Sequence, residues 1–135
     1  MAGLVSATSW QDNGPHLRVY RSDGGTITER AYDGNWYNGA FSAQGVTVGS
    51  TSWIEGSQIH IRVYVAGGSS GPVTEYCWDR DSWYVGAFRA QGAGADAVSW
   101  FDGQVHLRVY VRDDDNKVTE QCWDGSNWYA GAYTG

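Results

Sequence analysis

The sequence predicts an all-β protein made of three near-copies of one unit, and three observations predict it. The pentapeptides HLRVY (16–20), HIRVY (60–64) and HLRVY (106–110) repeat, and Trp10, Trp53 and Trp100, Glu29, Glu75 and Glu120, and Trp36, Trp83 and Trp128 recur with them at a period of about 45 residues. Eight Trp and nine Tyr stand beside 19 Gly and only two Pro among 135 residues, a mixture suited to short aromatic strands joined by tight turns. Asn-Gly, Asp-Gly and Gly-Gly pairs separate the repeated runs, and these residues tolerate the positive φ of hairpin turns.

Each unit reads as four strands. In the first, SATSW leads through QDNGP to HLRVY, then through SDGG to TITERAY, and through DGN to WYNGAF. The units cover about 5–45, 46–92 and 93–135 of a single domain, with length differences confined to turns such as AGGSSGP and RDDDNK, where insertions are tolerated. Two architectures accept such units. Three can close a β-trefoil within one chain, whereas a β-propeller needs four to eight blades. Three four-stranded blades per chain would therefore close as a six-bladed propeller by dimerisation, which also covers the open flanks of the end blades.

The formal net charge is −6 and no Lys/Arg run exists, so neither nucleic acid nor an anionic membrane is the expected partner. No apolar stretch approaches the roughly 20 residues of a membrane span. MAGLVSATSW at the N-terminus lacks the basic and apolar regions of a secretion signal, so action outside the cell would need another route or a signal outside this sequence. Cys77 and Cys122 share one register in successive units, where the first has Ala31; free, buried thiols are expected rather than a disulfide. No cofactor or metal is expected. His16, His60 and His106 read as structural, Asp33, Asp79 and Asp124 as turn caps acting through their own backbone, and Asp113 to Asp115 as a solvated hairpin tip.

Alternation turns spacing into geometry. His16, Arg18 and Tyr20 point one way and Leu17 and Val19 the other; Ile27, Glu29 and Ala31 oppose Thr28, Arg30 and Tyr32. Hairpin pairing would put Arg18 and Glu29 on one face, with Leu17 and Tyr32 on the other. Stacked blades would then give each cleft an Arg/Glu pair from one blade and an apolar and aromatic set from the next. Such a cleft suits a sugar: guanidinium donors and carboxylate acceptors meet hydroxyls, and a ring covers the C–H face. The same pattern also fits an Arg–Glu salt bridge over a tryptophan core.

The order Arg, Glu, Trp, Trp, Gly-Ala recurs in LRVYRSDGGTITERAYDGNWYNGAF, IRVYVAGGSSGPVTEYCWDRDSWYVGAF and LRVYVRDDDNKVTEQCWDGSNWYAGAY. In this the chain resembles the fucose-binding lectins of the Aleuria aurantia type, including short two-repeat bacterial members from Ralstonia and Burkholderia. The resemblance implies a six-bladed propeller that binds L-fucose and fucosylated glycans multivalently between adjacent blades. It places Arg18, Glu29 and the Ala40 backbone in a first site with Ile59, Ile61, Trp78 and Trp83. A second takes Arg62, Glu75 and Ala87 with Val105, Leu107, Trp123 and Trp128. The third pairs Arg108, Glu120 and Ala132 with Pro15, Leu17, Tyr32 and Trp36 of a partner chain, Tyr32 departing from the Trp of the other units. A homodimer with six sites is implied.

An enzyme is not expected. Glycoside hydrolysis needs two carboxyl groups about 5 to 9.5 Å apart across one bond, and each cleft is expected to hold one recurring carboxylate, tied to an arginine. A non-catalytic scaffold for protein partners is the other reading; it would ignore free sugar.

Overall fold

The computed structural model describes residues 4–133 and 135. Strands β1 (Val5–Gln11), β2 (Pro15–Asp23), β3 (Thr26–Tyr32) and β4 (Trp36–Gln44) form one antiparallel sheet in sequential order. β5 (Thr47–Glu55), β6 (Gln58–Ala66), β7 (Gly71–Trp78) and β8 (Trp83–Val85) form the second, with β9 (Ala90–Gly92) pairing to the start of β7. β10 (Gly94–Phe101), β11 (Val105–Arg112), β12 (Val118–Trp123) and β13 (Trp128–Ala130) form the third. Asn13 and Gly14 both take positive φ, 53° and 115°, as the tight β1–β2 connection requires. Each unit keeps its strands in its own sheet. A trefoil would pair strands of different units, so that alternative is overturned.

The sheets stack face to face. The inner strands β1, β5 and β10 are tied by hydroxyl pairs, Ser6 to Ser50 at 2.7 Å, Thr8 to Ser52 at 2.6 Å and Thr51 to Ser99 at 2.6 Å. Farther out, each sheet presents aromatic residues forward and β-branched or aliphatic ones backward. Tyr20, Ile27 and Phe41 of the first meet Ile61, Val63 and Val65 of the second. Tyr64, Val73 and Phe88 of the second meet Val109 and Val111 of the third. Rings interlock edge to face, Phe41 with Trp83 at 4.7 Å and Phe88 with Trp128 at 4.8 Å. Such pairs add to the stability that burial alone gives.

The stack ends on two open faces. Tyr133 on the third sheet is 46% exposed, and Trp36 and Val5 on the first are 48% and 63% exposed. Cys77 and Cys122 are free and buried; burial pushes the Cys77 thiol up to about 12.

Candidate functional site

Hairpin register assembles the polar half of each site. Arg18 pairs across from Ala31, Tyr20 from Glu29 and Leu17 from Tyr32, so Arg18 and Glu29 share the forward face and Leu17 and Tyr32 the backward one. Between Thr28 and Arg30 the β3–β4 register shifts, and Gly39, Ala40 and Phe41 arch over Glu29 as a bulge. This gives the recurring Gly-Ala its role: the bulge lays backbone over the carboxylate and leaves Ala40 at the surface. In the second unit the same arch ends β8 and separates it from β9.

The carboxylate is buried and held at both oxygens. Tyr20 donates its hydroxyl to Glu29 Oε2 at 2.6 Å and the Phe41 backbone N–H donates to Oε1 at 3.3 Å. Tyr64 and Phe88 hold Glu75 in the same way at 2.7 and 3.3 Å, and Tyr110 and Tyr133 hold Glu120 at 2.7 and 3.1 Å. Burial, followed by the neighbouring carboxylates, drives the Tyr20 and Tyr64 hydroxyls well above their ordinary range.

The expected Arg–Glu salt bridge does not form. Arg18 instead donates to both oxygens of Asp33 at 3.0 and 3.1 Å, Arg62 to Asp79 at 2.8 and 3.4 Å, and Arg108 to Asp124 at 2.9 Å. These aspartates are therefore not turn caps acting through their own backbone but hubs that orient the guanidinium. Each also binds the histidine two residues before the arginine, His60 to Asp79 and His106 to Asp124 at 2.6 Å, and receives a tyrosine hydroxyl from Tyr37, Tyr84 or Tyr129. Below the guanidinium lie the rings of Trp10, Trp53 and Trp100, at 4.8, 4.9 and 5.0 Å. Arg18 spends one further donor on the Leu17 carbonyl, so part of its donor fork still faces the cleft.

Burial alone would raise the Asp79 carboxyl, but hydrogen bonds from Arg62, His60 and Tyr84 outweigh it and hold it at about 2. Arg18, Tyr37 and His16 likewise outweigh burial and keep Asp33 below the usual carboxylate range, and Tyr129, His106 and Arg108 do so for Asp124. A carboxylate depressed in the folded state stabilises above its unfolded value near 4 and loses that contribution as pH falls through its folded value. The Asp79 contribution to folding stability is therefore expected to be intact from pH 7 to about pH 4 and to be lost as pH falls toward 2. Urea unfolding at stepped pH measures this; a loss of stability already complete by about pH 5 would contradict it.

The apolar half of each cleft comes from the next sheet. Arg18, Glu29, Tyr37 and Ala40 face Ile59, Ile61, Trp78 and Trp83 across a cavity of about 250 Å³. Arg62, Glu75, Tyr84 and Ala87 face Val105, Leu107, Trp123 and Trp128 across one of about 220 Å³. Both are small beside the 300–1,000 Å³ usual for drug-sized ligands and suit a monosaccharide. Trp53 also lines the second cleft, and its buried indole N–H has no acceptor among the described residues.

The third set is not brought together within one chain. Arg108, Glu120 and Ala132 lie on the forward face of the last sheet, and Pro15, Leu17, Tyr32 and Trp36 on the first. Both halves already have the geometry of the complete sites: Tyr32 lies 5.3 Å from Trp36, against 5.7 Å for Trp78 and Trp83 and 5.6 Å for Trp123 and Trp128. Sequence reasoning missed the tyrosines that hold each glutamate and those that hold each aspartate. Their recurrence at the repeat period was the available signal.

The sequence profile described as fungal fucose-specific lectin matches residues 2–106. A fucose lectin from Kordia zhangzhouensis, solved with methyl-fucoside, is 47% identical, with 96% of this chain and 99% of that chain covered and a TM-score of 0.83. A variant of the Aleuria aurantia lectin, solved with alpha-methyl-L-fucoside, is 28% identical over 97% of this chain and 46% of its own, with a TM-score of 0.82. A fungal lectin structure described as a six-bladed β-propeller is 27% identical over 97% of this chain and 45% of its own, with a TM-score of 0.77. The chain thus spans about half the length of these Aleuria proteins and the full length of the Kordia one. None of the curated proteins compared with it matches.

Proposed function

The chain belongs to the fungal fucose-specific lectin family, and from that premise we propose that it binds L-fucose and fucosylated glycans in the clefts between its sheets, as a homodimer closing a six-bladed ring. The observation that carries this reading is the repeated cleft, with an oriented arginine and a buried glutamate on one wall and aliphatic residues with two tryptophans on the other. The free guanidinium N–H groups donate to ring hydroxyls and the ring oxygen, and the glutamate accepts. A tryptophan covers the C–H face of the pyranose. The C6 methyl seats against Ile59 and Ile61, or Val105 and Leu107. A hydroxymethyl group there would bury an unpaired hydroxyl, which selects for the deoxy sugar.

Two sites are complete in each chain. The third forms from Arg108, Glu120 and Ala132 of one copy and Pro15, Leu17, Tyr32 and Trp36 of the other. Six modest sites on one ring raise avidity on a fucosylated surface by about 10²–10⁴, which fits a protein acting outside the cell on host or environmental glycans. Catalysis is disfavoured: the second carboxylate of each unit is turned away behind the arginine, committed to orienting it.

Calorimetric titration with L-fucose, on protein whose mass is fixed by light scattering, is expected to give a dimer with three sites per chain. Two sites per chain would remove the third cleft, and no heat at millimolar sugar would return the chain to the scaffold reading.

A further inference from the structure

Inside the chain, the same interface is built twice, so the structure supplies its own template for the third. At the template's backward face, Val65 and Val111 are buried, Tyr76 or Gln121 stands beside them, and Val85 or Ala130 pairs with that residue across the sheet. The first sheet presents different chemistry at the matching positions: Arg21, Arg30 and Asn38. Asn38 pairs opposite Arg30 and accepts its Nη1 hydrogen at 2.8 Å, which fixes the guanidinium on that face. Arg21 is 66% exposed and its one ion-pair partner among the described residues is Asp23, itself 72% exposed, at 3.1 Å. At the forward face, the third sheet has Tyr133 where the first and second have Phe41 and Phe88. It packs on Tyr110 at 5.5 Å, as Phe41 packs on Tyr20 at 5.6 Å and Phe88 on Tyr64 at 5.4 Å.

In the first internal interface, the residue matching Arg30 touches the residue matching Tyr133: Phe41 and Tyr76 meet edge to face at 5.3 Å. We propose that the face carrying Arg21 and Arg30 is the docking surface for a second copy of this chain, and that Arg30 seats its guanidinium against the second copy's Tyr133 ring. This rests on the ring closure proposed above and names the chemistry that closes it. The rest of the face follows the template: Val5, Leu17, Val19 and Trp36 meet Tyr110, Val118 and Tyr133 of the other copy. Replacing an aromatic pair by a cation over a ring keeps the unpaired chain soluble, because Arg30 faces water until the second copy arrives. It then gains a partially desolvated cation–π contact. The two-fold axis makes the contact twice, and the ring closes with no edge left for a third copy.

The test measures mass and site number together, by sedimentation velocity over a dilution series and by L-fucose titration, for wild type, Arg30→Glu, Arg30→Gln, Tyr133→Leu and Tyr133→Phe. Two contacts at about tenfold each should raise the dimer dissociation constant roughly 100-fold in Arg30→Glu. The monomer then formed should keep two sites per chain, and that retention shows that the variant folds. Tyr133→Leu is expected to weaken the dimer similarly, and Tyr133→Phe to leave it intact. Dimers of unchanged strength in Arg30→Glu and Arg30→Gln, beside a dimeric wild type, would overturn the Arg30 contact while leaving ring closure standing. A monomeric wild type would overturn closure itself.

Discussion

A protein carrying Arg18→Ala, Arg62→Ala and Arg108→Ala together is expected to lose measurable L-fucose binding and to remain folded. Each arginine stands at the polar wall of one cleft, held by an aspartate, a backbone carbonyl and a tryptophan ring, so its remaining donors reach a ligand without reorganisation. A hydrogen bond from a charged group contributes about 1.5–3 kcal/mol, and two lost per site lower affinity by about 10²–10⁴-fold. For a small sugar of modest affinity that removes the heat signal. Folding survives because the aspartate left behind is partly exposed, 28% for Asp33 and 27% for Asp79, and keeps its histidine and tyrosine partners. Lysine should not rescue, since a point charge cannot serve the aspartate, the carbonyl and the sugar from one plane. The single variant Arg18→Ala should remove one site in three. Unchanged stoichiometry in that variant would show that the sugar lies elsewhere.

Much of this site was legible because alternation along a strand is a strict rule. Once HLRVY and TITERAY are read as neighbours, Arg18 and Glu29 must share a face and Leu17 and Tyr32 the other. The partners of those side chains were not legible, because they depend on register. Tyr20 lies directly across from Glu29 and claims the carboxylate, while Arg18, two pairs farther along, reaches past Ala31 to Asp33 at the strand end. A two-pair offset, which keeps the same face, decides between a salt bridge and a positioning hub, and alternation does not distinguish the two. The third site was legible only as two halves, since the chain ends its stack with each half on a different open face.

Gly86→Ala is expected to destroy the second cleft from behind. Gly86 forms the arch over Glu75, and its φ is not positive, so backbone conformation does not demand glycine there; closeness does. A Cβ at this position would overlap Oε1 of Glu75 and come within 2.7 Å of the Cys77 sulfur. Glu75 is 3% exposed and cannot swing into water without abandoning both Tyr64 and the Phe88 N–H. The arch must lift or the carboxylate must leave, and either moves Ala87 and Glu75 from the places they hold in the proposed sugar site. Overpacking costs about 1–3 kcal/mol and a broken buried hydrogen bond about 1 more, so a loss of about 2–4 kcal/mol in urea unfolding is expected with one site in three gone. The single variant Glu75→Gln separates the two effects: it keeps the packing beneath the arch and an oxygen for Tyr64, so it should cost less stability than Gly86→Ala while the second cleft loses its carboxylate acceptor. Gly39 and Gly131 stand in the same relation to Glu29 and Glu120. Full stoichiometry in Gly86→Ala would mean that the arch moves freely and that the buried glutamate is not the acceptor the sugar meets.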